Sequence, residues 1–107
     1  MRLIADSGAT KTDWCPIWEK ADTPIIQTQG INPFHQSKEH IYKVLTEELM
    51  PQLEDKRQIT HIHFYGAGCP PEKAIIVREE LSKLFPETSI DVQSDLLGAA
   101  RALCGRE

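Results

Sequence analysis

A chain of 107 residues, 40% of them hydrophobic, is long enough to bury the core of one domain without disulfides or a structural metal. The net charge of -4, from 12 basic and 16 acidic residues spread along the chain, argues against nucleic acid and anionic membranes as partners. The 3 cysteines have no C-x-x-C spacing, no secretion signal is present, and no apolar run approaches the ~18 residues that span a bilayer. We therefore expect a cytoplasmic, soluble protein.

The N-terminal part of the chain predicts three strands before any helix. Arg2 to Asp6 is a short apolar run ending in a carboxylate, and the β-formers of Thr12 to Trp18 predict the second strand of a hairpin. Pro16 cannot donate to a sheet ladder, so we expect a bulge or an unpaired edge at that position. Thr23 to Gln29 predicts a third strand, after which Gly30-Ile31-Asn32-Pro33 turns the chain.

From Ser37 onward the pattern alternates between helix and strand. Apolar residues at helical spacing predict an amphipathic helix that Ser37 caps and Pro51 stops. The remaining predicted elements are a strand from Ile59 to Tyr65, a helix opened by Pro70-Pro71, a strand from Ser89 to Gln93, and a helix after Ser94-Asp95 that ends at Gly105.

The element order β-β-β-α-β-α-β-α predicts an α/β fold, with a mixed five-stranded sheet and helices on both faces. Ligands of such sheets bind at the carboxyl ends of the parallel strands. Three polar or glycine-rich stretches follow strands here: DSGATKT from Asp6 to Thr12, Gly66-Ala67-Gly68, and Ser94-Asp95. We therefore expect the carboxylates of Asp6 and Asp95 to open into one cavity from neighbouring parallel strands.

The stretch from Asp6 to Asp13, DSGATKTD, carries more functional groups than a turn requires. It is not a Walker A loop, because Thr10 stands where glycine must precede the lysine and because the chain returns into a strand. Backbone N–H groups, the Thr10 and Thr12 hydroxyls and the Lys11 ammonium can surround phosphate oxygens, and Asp6 can hold Mg²⁺ through its water shell. A plain hairpin with a solvated lysine has the same composition, and the residues alone leave both interpretations open.

Four motifs in this order resemble a known family. The stretch from Asp6 to Asp13 resembles the first phosphate motif of the superfamily that joins sugar kinases, heat-shock ATPases and actin. Three further stretches resemble its N-acetylglucosamine kinase-like branch, also called the BadF/BadG/BcrA/BcrD ATPase family: Gly30 to Pro33, Tyr65 to Cys69, and Ser94 to Ala102. The resemblance implies a ribonuclease H-like sheet with ATP and Mg²⁺ as cofactors. It covers only the first half of a family member, which implies that residues 1–107 form an N-terminal lobe and that a second, adenosine-binding domain completes the enzyme.

The resemblance also assigns a role to each motif. It implies that Asp95 is the general base toward a sugar hydroxyl and that Asp6 holds Mg²⁺. Residues implied at the ATP phosphates are Gly8, Thr10, Lys11 and Thr12, beside Asp6; residues implied at the sugar are Asn32, Gly66, Ala67 and Gly68, beside Asp95. The residues alone also allow Asp95 as a helix-terminal carboxylate and Asn32 as a turn residue before proline. Ser7 departs from the family pattern, which often has a second glycine there.

Three functions are compatible with this resemblance. The first is an ATP-dependent kinase for N-acetylglucosamine or a related amino sugar, inactive as this lobe alone. The alternatives are an ATPase that activates a partner enzyme and a non-catalytic module that senses a sugar. The expected ligands are a small sugar and ATP, with no nucleic acid or membrane partner, and a homodimer stays open.

Other chemistry-bearing residues predict structural roles. His61 and His63 share one face of a strand, a spacing that can bind a metal, but no third ligand stands nearby in sequence. Trp14 and Trp18 lie on one face of their strand with Cys15 on the other, which predicts packing in the hairpin.

Overall fold

The structure, a computed structural model, describes residues 2–8, 10–17, 25–53, 56–66 and 70–94. Within these ranges, five strands form one sheet and two α-helices pack against it. The strands are β1 (Arg2–Ser7), β2 (Lys11–Ile17), β3 (Ile26–Gln29), β4 (His61–Gly66) and β5 (Ser89–Ser94), and the helices are α1 (Lys38–Val44) and α2 (Pro71–Leu84). The strand order is β3-β2-β1-β4-β5.

The sheet is mixed, with β2 as the strand of opposite direction. Strand β2 is antiparallel to both β1 and β3, whereas β4 is parallel to β1 and to β5. Strands β1, β3, β4 and β5 therefore all end at the same edge of the sheet. This architecture confirms the predicted α/β fold with a mixed five-stranded sheet; the helix predicted after Asp95 lies outside the described residues.

One detail of the predicted topology is wrong. Strands β1 and β5 are parallel but not neighbours, because β4 pairs with β1 on one side and with β5 on the other. The sequence order β4-α2-β5 carries the chain outward, so each new parallel strand adds to the far side of the previous one. The sequence shows that the strands are parallel, but not which strand separates them.

Strand β2 accommodates Pro16 without a bulge. Its pairing with β1 is continuous through Leu3 opposite Pro16. On the other side, β3 begins at Ile26, which is opposite Trp14, so the described part of β3 has no residue facing Pro16. The predicted bulge is absent from the pairing with β1, and among the described residues no strand pairs with Pro16 on the other side, where the missing N–H of proline is harmless.

The main core lies between one face of the sheet and both described helices. Trp14 is fully buried at its centre, with its ring tilted by 57° against Phe64 at a centroid distance of 5.8 Å. Its indole Nε1 donates to Thr28 Oγ1 over 3.1 Å, so the only polar atom of this side chain is satisfied. The predicted packing role of Trp14 is confirmed, and Cys15 lies on the opposite face beside Ile4; Trp18 lies outside the described residues.

The helix boundaries follow the capping signals in the sequence. Ser37 Oγ accepts the His40 N–H at 3.1 Å and starts α1, as predicted. After Val44 the helix continues as a π-helical turn, Leu45–Leu49, and a final 3₁₀ turn, Met50–Gln52, which contains Pro51. None of the helices among the described residues is both long and apolar enough to span a membrane.

Candidate active site at the carboxyl edge of the sheet

The register aligns the ends of three parallel strands. Ser7, Gly66 and Ser94 form one row across β1, β4 and β5, and Asp6 lies one row further back, opposite Tyr65. The ends of these three strands therefore lie side by side at one edge of the sheet. The main chains of β1 and β5 are two strand spacings apart, about 10 Å. Asp95, Ala67 and Gly68 lie outside the described residues, so their predicted roles stay predictions.

Asp6 and Asp13 are directly opposed on β1 and β2. Asp6 is half-buried, and Asp13 is 6% exposed and accepts a hydrogen bond from Gln27 Nε2 at 3.0 Å. The described residues contain no group of three or more His, Cys, Asp or Glu side chains that could hold a metal ion. A single carboxylate at a strand end can nevertheless bind Mg²⁺, because water and phosphate then supply the other ligands of the ion.

The tip of the β1–β2 hairpin has the properties of a phosphate-binding turn. The Gly8 N–H donates to the Lys11 carbonyl at 2.9 Å and closes the turn, while Gly8, Thr10 and Lys11 are all exposed. Among the described residues, a Cβ added at Gly8 would meet only the Lys11 carbonyl oxygen, at 3.8 Å. As far as the described residues show, the space above Gly8 is open, and the residues present fit an anionic group such as the phosphates of ATP.

Thr12 differs from the rest of the hairpin motif. It is fully buried on the core face, and its hydroxyl lies 2.8 Å from Ser7 Oγ and 3.2 Å from the Gln29 carbonyl oxygen. A hydroxyl engaged in this way inside the lobe has little capacity left for a phosphate. We therefore assign Thr12 to holding the hairpin in place and not to ligand contact, because alternation along β2 directs its side chain into the core.

The loop that carries Asn32 is joined to the hairpin. The Gly30 N–H donates to the Thr10 carbonyl at 3.1 Å, which places the start of this loop against the hairpin tip. Asn32 Oδ1 accepts the Phe34 N–H at 2.9 Å and forms a local turn, so the turn role considered from sequence is confirmed. Within the described part of the chain the Asn32 Nδ2 group makes no hydrogen bond, and its two N–H donors are available to a ligand.

Three further residues at this edge had no signal in the sequence. Gln36 bridges the loop, since its Nε2 donates to the Gly30 carbonyl at 2.9 Å and its Oε1 accepts the Asn32 N–H at 2.8 Å. The Phe34 ring is 57% exposed, and the Lys73 ammonium lies 5.7 Å from its centroid. This contact brings the first turn of α2 against the Asn32 loop. Such tertiary contacts leave no periodic pattern in the sequence.

The mixed five-stranded sheet with its helices is consistent with the N-terminal lobe of the sugar kinase and actin-like fold. The chain is similar to a proposed N-acetylglucosamine kinase from Porphyromonas gingivalis, whose crystal structure matches 98% of this chain at 47% identity with a TM-score of 0.87. The match covers 38% of that protein's chain. It confirms the resemblance to the N-terminal lobe of an N-acetylglucosamine kinase-like protein. No protein-family model and no curated protein matches the sequence.

Proposed function

We propose that this chain is the N-terminal lobe of an ATP-dependent kinase that phosphorylates N-acetylglucosamine or a related amino sugar. The observation that carries the proposal is the bond between the Thr10 carbonyl and the Gly30 N–H, which joins the phosphate hairpin to the loop carrying Asn32. The proposal is supported by the 47% identity to a proposed kinase for this sugar. The match covers 38% of that protein, and the resemblance assigns the adenosine site to a second lobe, so we expect the 107 residues alone to be inactive.

In this mechanism the lobe positions both substrates and accepts a proton. Asn32 donates to a sugar hydroxyl through Nδ2, and the small residues Gly66, Ala67 and Gly68 would let the sugar approach the backbone. The Asp95 carboxylate accepts the proton of the attacking hydroxyl. Exposed donors at Thr10 and Lys11 bind the phosphate oxygens.

The cofactor chemistry rests on Asp6 and the hairpin tip. When bound, Mg²⁺ would neutralise the negative charge on the phosphate oxygens of ATP. Asp6 is the described carboxylate at the end of β1, and it would orient the water shell of that ion. Thr12 is fully buried, so we expect it to hold the hairpin in place and not to contact the nucleotide.

The test is turnover by the full-length protein. ADP release should depend on N-acetylglucosamine, and Asp95→Asn should lower kcat by about 10²- to 10⁴-fold, the usual contribution of a general base. Asp91→Asn is the matched control, because Asp91 is an exposed aspartate of β5 that accepts a hydrogen bond from Gln93 Nε2 at 2.9 Å. Unchanged turnover in Asp95→Asn would remove Asp95 from the role of base. ATP hydrolysis indifferent to every sugar would favour an activator of a partner enzyme, and sugar binding without ATP turnover would favour a sensor.

A further inference from the structure

Ser7 is the residue at which this chain departs from the glycine often found in the phosphate motif, and its hydroxyl lies at the centre of a buried network. Ser7 is 1% exposed, and Ile31, its main partner, is 0% exposed. The Ile31 N–H donates to Ser7 Oγ at 2.9 Å, and Ser7 Oγ lies 3.0 Å from the Ile31 carbonyl oxygen. The N–H and the carbonyl of Ile31 are therefore both hydrogen-bonded to the side chain of Ser7, 24 positions earlier in the chain.

An inventory of protons gives one arrangement that satisfies these groups. Each hydroxyl has one proton to donate, and a carbonyl oxygen has two lone pairs. The Gln29 carbonyl oxygen lies within reach of two donors, Thr28 Oγ1 at 3.0 Å and Thr12 Oγ1 at 3.2 Å. When the Thr28 proton serves that carbonyl, the Thr12 proton can go to Ser7 Oγ at 2.8 Å, and the proton of Ser7 to the Ile31 carbonyl. In this arrangement Ser7 donates once and accepts twice, and no proton is used twice.

The same loop is held from its other side by Gln36. Its amide bonds to the Gly30 carbonyl and to the Asn32 N–H, at 2.9 and 2.8 Å. Four successive backbone groups, from the Gly30 carbonyl through Ile31 to the Asn32 N–H, are thus bonded to only two side chains. Gln36 belongs to the loop itself, whereas Ser7 belongs to β1. Ser7 is therefore the side chain that connects this backbone to the strand leading into the phosphate hairpin.

We infer that Ser7 is a positioning residue that sets the place of Asn32, and hence of the sugar, relative to the phosphate hairpin. The inference rests on the proposed function, and it concerns a residue that contacts neither substrate. Without the Ser7 hydroxyl, the buried N–H and carbonyl of Ile31 lose their partners, and the loop must move to reach others. The hairpin keeps its own strand pairing between β1 and β2. Sugar affinity should therefore fall while ATP affinity is retained.

The test compares Michaelis constants in the full-length protein. Ser7→Ala should raise the KM for N-acetylglucosamine about tenfold, equivalent to about 1.4 kcal/mol. The KM for ATP should stay within about twofold, the usual limit for independent effects. Thr88→Val is the matched control, because it removes another hydroxyl that donates to a backbone carbonyl, that of Ile59 at 3.0 Å, and has no bond to the Ser7 network. It should leave the KM for the sugar within about twofold of the wild type.

A double-mutant cycle separates positioning from general destabilisation. If Ser7 acts through Asn32, adding Ser7→Ala to Asn32→Ala should change the KM for the sugar by less than about twofold. The inference would be overturned if the effects of the two substitutions on the KM for the sugar were fully additive. It would also be overturned if Ser7→Ala changed both Michaelis constants equally or left the KM for the sugar unchanged. Ser7→Cys nearly conserves volume and weakens the bonds, and it provides the same comparison if Ser7→Ala does not fold. Absence of sugar phosphorylation by the wild-type protein would instead overturn the proposed function, and this inference with it.

Discussion

Substitution of Gly8 should affect the stability of the fold and the binding of the nucleotide in opposite directions. The backbone of Gly8 does not adopt a left-handed conformation, and an added Cβ would lie 3.8 Å from the Lys11 carbonyl oxygen, an ordinary contact. Alanine therefore fits without strain. Because alanine also restricts the unfolded chain, Gly8→Ala should raise the free energy of unfolding of the 107-residue chain by about 0.4–1 kcal/mol.

The expected effect on the nucleotide has the opposite sign. The methyl group of Gly8→Ala would fill the open space through which a phosphate reaches the hairpin backbone. A hydrogen bond to a charged group contributes about 1.5–3 kcal/mol, so losing one should lower kcat/KM for ATP by about 10- to 100-fold in the full-length protein. The variant should thus be more stable and less active.

Two measurements check this prediction. Urea unfolding of the chain gives the stability, and a coupled ADP assay at saturating sugar gives kcat/KM for ATP. Ser82→Ala, an exposed position in the last part of α2, controls for effects of any surface substitution. Wild-type ATP kinetics in Gly8→Ala would refute the phosphate-binding interpretation of the hairpin. A loss of stability above about 1 kcal/mol would refute the view that the backbone there accepts an L-residue.

Three further predictions concern the fold. Trp14→Ala should lower the free energy of unfolding by about 3–5 kcal/mol through loss of packing, and a loss below about 1 kcal/mol in urea unfolding would contradict the core assignment. Ser37→Ala should cost about 1 kcal/mol by the same assay, since it removes the cap of α1; an unchanged midpoint would argue against that cap. The hydrogen bonds from the Lys83 ammonium to the buried Glu80 carboxylate, at 2.9 and 3.0 Å, raise the pKa of Lys83 above its ordinary value of 10.5. This stabilisation should be fully present below pH 10.5 and lost as the pH rises through the higher pKa of the folded state, so the stability difference between wild type and Lys83→Met should shrink there. A difference independent of pH from 9 to 12, roughly the range in which lysines titrate, would contradict it.

Local sequence determined most of the secondary structure. The cap at Ser37 and the opening of α2 at Pro71 follow from rules that act within a few residues, and the structure confirms them. Alternation along β2 correctly separated Trp14 from Cys15, because successive side chains of a strand point to opposite faces. The positions of the glycine-rich and acidic stretches after strands also predicted which edge of the sheet carries the candidate site.

Tertiary structure alone decided how those pieces meet. The sequence contains no information at short range on strand order, so only the folded sheet places β4 between β1 and β5. The motif suggested a common role for Thr10 and Thr12, yet Thr10 lies exposed at the hairpin tip before β2 begins, whereas Thr12 lies within β2 and is buried. Gln36 and Ser7 became visible as partners of one loop only when residues 24 positions apart came into contact. The physical reason is that local patterns fix the conformation of each segment, whereas the packing of distant segments decides which polar groups are enclosed and which remain available to a ligand.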